Sequence, residues 1–386
     1  LLEDLAGRED WPEVERLGRQ ALASVRTPHL RFRVERSLAE ALYWQAKDAE
    51  LLKMLERLAE RGKRLGIADG ELELFRAVSS YRTGTAGWEE LFRGLFFRRQ
   101  ASALHARAFS FLSLEERLKS FSAAEQAFFA AKASLFEGPP AKSLAALETA
   151  LALIPEERLR EGPTLAETAG AFLQSGECGR GFHLLAPLAS SLPEADPLRL
   201  EAEEWAGRLA RRAGDTSEAV HLLRAVMQGS SDGGQRDRAA WFLLDLARNG
   251  SREAFLEELE RQAPSWNDPE YFADILNREI AGIVAQRRWN DLLALRRILP
   301  EGGLRAIRAR LELLVGRLEE LGLVSAGIDP RAAYAEVARL DSGGYSGWLA
   351  SALLGPGETP DVAVSTDDVL EDPEEPKERG AAVDRV

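Results

Sequence analysis

A break recurs along this chain at nearly constant intervals. Small or polar residues separate helix-like stretches at Gly7, Ala46, Gly84, Gly138, Gly176, Gly214, Gly250, Arg287 and Gly322, with spacings of 39, 38, 54, 38, 38, 36, 37 and 35 residues. Two helices and their turns use about 34–40 residues, so the period is that of a stacked helix-pair repeat. An array of this kind grows by adding pairs and does not close one core. Between the breaks the apolar residues keep helical phase. Ala219, Leu222, Leu223 and Val226 fall at i, i+3, i+4 and i+7, and Leu144, Leu147 and Leu151 share one face in the same way. Ala, Leu, Glu and Arg dominate, all strong helix formers. Alternating runs of Val, Ile and Thr are nearly absent, so the class is all-α.

The clearest unit reads Ala213-Gly214-Asp215-Thr216-Ser217-Glu218-Ala219. Gly214 can take the left-handed conformation that ends one helix, and Asp215 or Thr216 can cap the next. Ala219, five residues after the break, lets paired helices approach. Ser143 and Gly181 hold the same offset from Gly138 and Gly176. The unit resembles a degenerate tetratricopeptide repeat, which implies a right-handed α-superhelix over residues 1–355. The 54-residue interval implies a helical insertion over about 90–136. That stretch holds Phe92, Phe96, Phe97, Phe109, Phe111, Phe121, Phe128 and Phe129, the core of an extra helix pair or an apolar groove for a partner helix.

Charge and composition narrow the partners. The chain has 386 residues and a net charge of −13, which argues against a nucleic-acid backbone as ligand. Residues 356–386 carry ten acidic and three basic side chains; they read as an acidic disordered tail or linker, or as bait for a basic partner. No run of about 18 apolar residues occurs, so no membrane span is expected. Cys178 is the only cysteine, which excludes an internal disulfide and a multi-cysteine zinc site. The chain begins at Leu1-Leu2, consistent with a trimmed terminus or a piece of a longer chain.

Three standard chemistry-bearing motifs are absent: there is no Walker loop, no dinucleotide glycine fingerprint and no His-Glu-x-x-His. Catalytic, cofactor and metal residues are therefore read as none. His29, His105, His183 and His221 are scattered over different repeats, and Cys178 with His183 is the one pair close in sequence. Asn249-Gly250-Ser251 matches a glycosylation acceptor. The eight tryptophans spread along the chain as helix-packing residues would, with sugar stacking as the alternative for one of them.

The most specific stretch runs from Ala333-Tyr334-Ala335-Glu336-Val337-Ala338-Arg339-Leu340 through Gly344-Tyr345-Ser346-Gly347-Trp348-Leu349-Ala350-Ser351-Ala352-Leu353-Leu354-Gly355. It resembles the last helical hairpin of the superhelical domain in soluble lytic murein transglycosylases. Tyr334, Ala338, Tyr345, Gly347, Leu349, Ala350, Leu354 and Gly355 stand at the matching places. The resemblance is loose over 200–330 and specific over 330–355. It implies a periplasmic or cell-envelope scaffold beside a lysozyme-like domain that cleaves peptidoglycan glycan strands. That domain's Glu-Ser and Gly-Leu-Met-Gln segments do not occur here, so the chain by itself is expected to be inactive. The alternative is an adaptor, cytoplasmic in that case, that binds a protein or peptide in its concave face. Under either reading Tyr334, Tyr345 and Trp348 are candidates for docking a downstream catalytic domain or a partner, since the last pair of an array needs a cover.

Overall fold

The structure, a computed structural model, describes residues 2–114, 116–137, 143–194, 196–300 and 303–355. Among the described residues there are 21 α-helices and no strand. The helices pack as sequence-adjacent pairs. They fall into two compact units, Leu1–Ser230 and Ser231–Val386. The first unit holds α1 (Leu2–Gly7) with α2 (Trp11–Ser24), α3 (Pro28–Trp44) with α4 (Asp48–Leu65), and α5 (Gly70–Arg82) with α6 (Trp88–Arg98). It continues with α7 (Ala103–Leu112), α8 (Ala123–Glu137) with α9 (Leu144–Leu151), and the one-turn α10 (Glu156–Leu159). It ends with α11 (Thr164–Ser175) paired to α12 (Cys178–Ser191), and α13 (Pro197–Ala213) paired to α14 (Thr216–Gly229). The second unit holds α15 (Gly233–Gly250) with α16 (Arg252–Gln262), α17 (Ala273–Ala285) with α18 (Trp289–Ile298), α19 (Arg305–Glu320) with α20 (Pro330–Leu340), and finally α21 (Tyr345–Leu354).

The breaks are conformational. Ala46, Gly84, Gly176, Gly214, Arg287 and Gly322 all have positive φ, between 54° and 88°. Each closes the first helix of a pair and frees the backbone to reverse. Two of the expected breaks differ. The turn after α1 places its positive φ at Glu9 (58°), not at Gly7. At Gly250 the helix runs through the glycine and stops at an extended Ser251 (φ −153°), whose hydroxyl accepts from the Ala254 N–H at 3.1 Å and caps α16. Gly138 lies outside the described residues. Ala46 (φ 54°) and Arg287 (φ 55°) bear a Cβ in a region that penalises one. Ala46→Gly and Arg287→Gly should each raise stability, by about 0.5–1 kcal/mol, once glycine's greater unfolded-chain entropy is offset; paired urea titrations measure it.

The small residues five after a break act as expected. A Cβ added at Gly181 would stand 2.8 Å from Phe172 Cβ across the α11–α12 contact. Ser143 and Ala219 are buried at the equivalent places.

The insertion is smaller than the sequence suggests. The 54-residue interval exceeds its neighbours by too little for a second pair, and the structure supplies one extra helix, α7, followed by a 3₁₀ turn at Arg117–Ser120. Phe92, Phe96 and Phe97 belong to α6, and Phe128 and Phe129 to α8, both regular members of pairs. These rings are buried and stacked. Phe96 lies on Phe129 with centroids 4.1 Å apart, and Phe97 on Phe128 at 4.8 Å. Phe109 and Phe111 are half-buried against the same core. The phenylalanines therefore form a core and leave no groove.

A buried polar group, His105, ties α7 into that core. His105 is fully buried; its Nδ1 accepts the Ser102 N–H at 3.1 Å and its Nε2 lies 3.1 Å from the Leu95 carbonyl. That assigns the proton to Nε2 and a neutral ring. Burial first, and then the Lys132 charge, push this imidazole down to about 4. The unfolded chain then binds more protons than the folded one between about pH 4 and 6.5, so stability rises with pH across that window. His105 should contribute roughly 3 kcal/mol at pH 7 that is lost as the pH falls through the window. The difference in unfolding free energy between the parent chain and His105→Gln, taken at pH 4.5 and 7, measures it; a pH-independent difference would contradict the assignment.

Candidate functional site

The terminal elements of the second unit carry the three residues that the sequence offers as docking candidates, Tyr334, Tyr345 and Trp348. α20 starts at Asp329, whose carboxylate accepts the Arg331 N–H at 3.1 Å, with Pro330 fixing the first helical turn. Its apolar face, Tyr334, Val337 and Ala338, packs with Ala309 and Leu313 of α19 and with Ala350 and Leu354 of α21. Gly316 of α19 permits the approach, since a Cβ there would sit 3.1 Å from both Ala333 Cβ and the Tyr334 ring.

The turn from α20 to α21 depends on Asp341. Its carbonyl accepts the Gly344 N–H at 3.0 Å, and its carboxylate accepts the Ser346 and Gly347 N–H groups at 3.1 and 3.4 Å. Asp341 thus lies across the start of α21 and satisfies donors that a helix N-terminus leaves open. Gly344 and Gly347 are the residues that make room. A Cβ on Gly347 would overlap the Asp341 carbonyl, and one on Gly344 would overlap its carboxylate. The spacing Asp341-x-x-Gly344-x-x-Gly347 is therefore a steric requirement.

The three aromatic candidates separate. Tyr334 is 2% exposed, and its hydroxyl donates to Glu320 at 2.7 Å. Burial and the Glu320 carboxylate push that hydroxyl up to about 12. Tyr334 is a packing residue and offers no docking surface, because its ring points onto α19. Tyr345 and Trp348 are 75% and 67% exposed, with ring centroids 6.4 Å apart. Truncating Trp348 should therefore cost the isolated chain less than about 1 kcal/mol, against the roughly 3–5 kcal/mol of a buried tryptophan. Thermal unfolding of Trp348→Ala measures this.

Beside these rings is an apolar cavity of about 480 Å³ between α17, α19 and α21, lined by Ile280, Ala281, Val284, Leu313, Leu314 and Leu349 among others. The Arg310 guanidinium donates to Asn277 Oδ1 at its edge. Such a lining suits an aliphatic or aromatic side chain, with Asn277, Arg310, Tyr345 and Ser346 as its polar members.

The remaining sequence candidates are not assembled into a site. Cys178 and His183 are five apart on α12, about 140° round the helix. The thiol is buried and faces the Phe172 carbonyl at 4.0 Å, burial pushes its pKa up, and His183 is exposed beside Phe182. Asn249-Gly250-Ser251 is the α15–α16 junction. Trp241 and Trp266 are packed, Trp241 donating to Asp274 at 2.9 Å and Trp266 stacking on Phe272 at 3.9 Å. Trp44 and Trp348 are the exposed tryptophans. Among the described residues no cluster of three or more His, Cys, Asp and Glu is placed to hold a metal, and no helix is long and apolar enough to cross a membrane. The acidic stretch 356–386 lies outside the described residues.

What the sequence did not disclose is the part played by Asp341 and the position of the cavity. The Asp-x-x-Gly-x-x-Gly spacing was visible, but its meaning depends on a turn that brings Asp341 back over Gly347. No protein-family model matches this chain, and no curated protein matches it.

Proposed function

We propose that the chain is a helical scaffold, its pairs wound as a right-handed superhelix, of the kind that flanks the catalytic domain of soluble lytic murein transglycosylases. In this reading it carries no catalytic residue. It holds a lysozyme-like domain against peptidoglycan glycan strands in the periplasm or cell envelope. The observation that supports the reading is the terminal hairpin. Tyr334, Ala338, Gly347, Ala350 and Leu354, at the places matched by the resemblance, are the residues on which the α19–α20–α21 packing depends. The reading is tested by the coding sequence that follows Val386. A Glu-Ser pair followed by a Gly-Leu-Met-Gln segment supports it; an unrelated domain or an immediate stop codon defeats it.

One feature favours a second reading, an adaptor that binds a protein or peptide. The cavity between α17, α19 and α21 is apolar and open to side chains of a bound segment. Ala281→Arg would fill it. Under the adaptor reading that change abolishes peptide binding; under the scaffold reading it leaves association with sacculi intact.

A further inference from the structure

Helix α21 has the composition of a buried helix. Its ten residues, Tyr345-Ser-Gly-Trp-Leu-Ala-Ser-Ala-Leu-Leu354, include no charge, and a helix apolar on all sides is normally covered on all sides. Yet Tyr345, Trp348, Ala352 and Leu353 are exposed, an apolar stripe at i, i+3, i+7 and i+8.

The order of the array says what belongs there. In this unit the first helices follow one another, α15 packing on α17, α17 on α19 and α19 on α21. The first three are each covered by a second helix, α16, α18 and α20. By position α21 is the next first helix, and no described residue covers its outer stripe. The register agrees. In the pairs that precede it, the residue seven before each left-handed break is buried: Ala39, Ala77, Ala169, Gly207, Ile280 and Val315. At Gly207 the cover is visible, since an added Cβ would meet Leu223 of the second helix α14 at 2.9 Å. Gly355 ends α21 with a positive φ of 88° but a ψ of 170°, outside the left-handed conformation of Gly176 and Gly214 (ψ 2° and 3°); the residue seven before it is Trp348.

We infer that the Tyr345–Trp348–Ala352–Leu353 stripe is a docking site for one amphipathic α-helix of a separate folded domain, seated antiparallel to α21 in the place of the missing second helix. The inference rests on the array and holds whichever function is correct. A second copy of the chain is a poor occupant. A ten-residue helix is about 15 Å long, too short for self-pairing to bury the ~800 Å² per partner of a stable interface. Residues 356–386 are a poor occupant too, because they contain no apolar set at i, i+3 and i+7 or at i, i+4 and i+7.

The probe is a fluorescein-labelled, stapled 14-residue model helix with Leu at i, i+3, i+4, i+7 and i+11 and Glu or Lys elsewhere, titrated into the whole chain by anisotropy. Saturable binding is expected, at least tenfold weaker with Trp348→Glu and with Tyr345→Ser, both exposed positions that should leave the circular dichroism unchanged. A peptide of the same composition with its leucines out of helical phase should not bind. Equal binding by that control, or no effect of either substitution, overturns the proposal. So does Trp348-dependent dimerisation in sedimentation, which would make a second copy the occupant. A large gain in affinity on deleting 356–386 would assign the site to that segment and overturn it as well.

Discussion

Glu167→Ala should destabilise the first unit by about 3–5 kcal/mol, the cost of breaking a buried ion pair from one side. Lys132 has no exposed side-chain surface, and its ammonium lies 2.8 Å from the Glu167 carboxylate. That carboxylate also accepts the Ala101 N–H, fixing the loop between α6 and α7. Burial pushes the lysine pKa down and the glutamate pKa up, each opposed by the other's charge. Removing Glu167 strands the ammonium in an apolar surrounding, with the Phe128 ring centroid 5.6 Å away. Removing both charges is another matter. Lys132→Met with Glu167→Gln keeps an acceptor for Ala101 and leaves no buried charge, and it should fall within about 1 kcal/mol of the parent. The readout is hydrogen exchange of the α8 and α11 amides, which reports this region by itself. A double variant as weak as Glu167→Ala would show that the pair is not what holds this region.

Gly347→Ala should open the terminal hairpin at a cost on the order of 3 kcal/mol, large for a single methyl group. The new Cβ cannot be accommodated by a rotamer change, because what it meets is the backbone carbonyl of Asp341. Either the turn unwinds or α21 shifts off Ala309 and Leu313. Gly343→Ala, four residues away and facing open space, should be neutral to within about 0.5 kcal/mol. Amide protection in α20 and α21 separates the two variants; equal protection would mean that Asp341 does not hold the turn.

The pairing of helices was legible in the sequence because a left-handed break has few acceptable residues, and those residues recur at a fixed period. It was legible even at Ala46 and Arg287, where no glycine marks the turn. Where an alternative solution exists the break moves, as at Glu9, which takes the turn from Gly7, and at Ser251, whose cap lets α15 run through Gly250. The phenylalanine-rich stretch suggests an added pair where the structure has one extra helix, because aromatic density does not reveal which helix owns each ring. The fate of the aromatic candidates was hidden for a similar reason. Periodicity groups Tyr345 with Trp348 and Tyr334 with Ala338, but it does not say which face meets the previous helix. Only the packing onto Gly316 buries Tyr334 and leaves the other two outside.

The claim at the centre of this account is that these residues hold and position, and do no chemistry on the glycan. Purified residues 1–386 incubated with peptidoglycan sacculi, with the soluble products separated by liquid chromatography, test it directly. The account predicts protein that co-sediments with the sacculi and no 1,6-anhydromuropeptides in solution. Release of those products by this chain alone would contradict it.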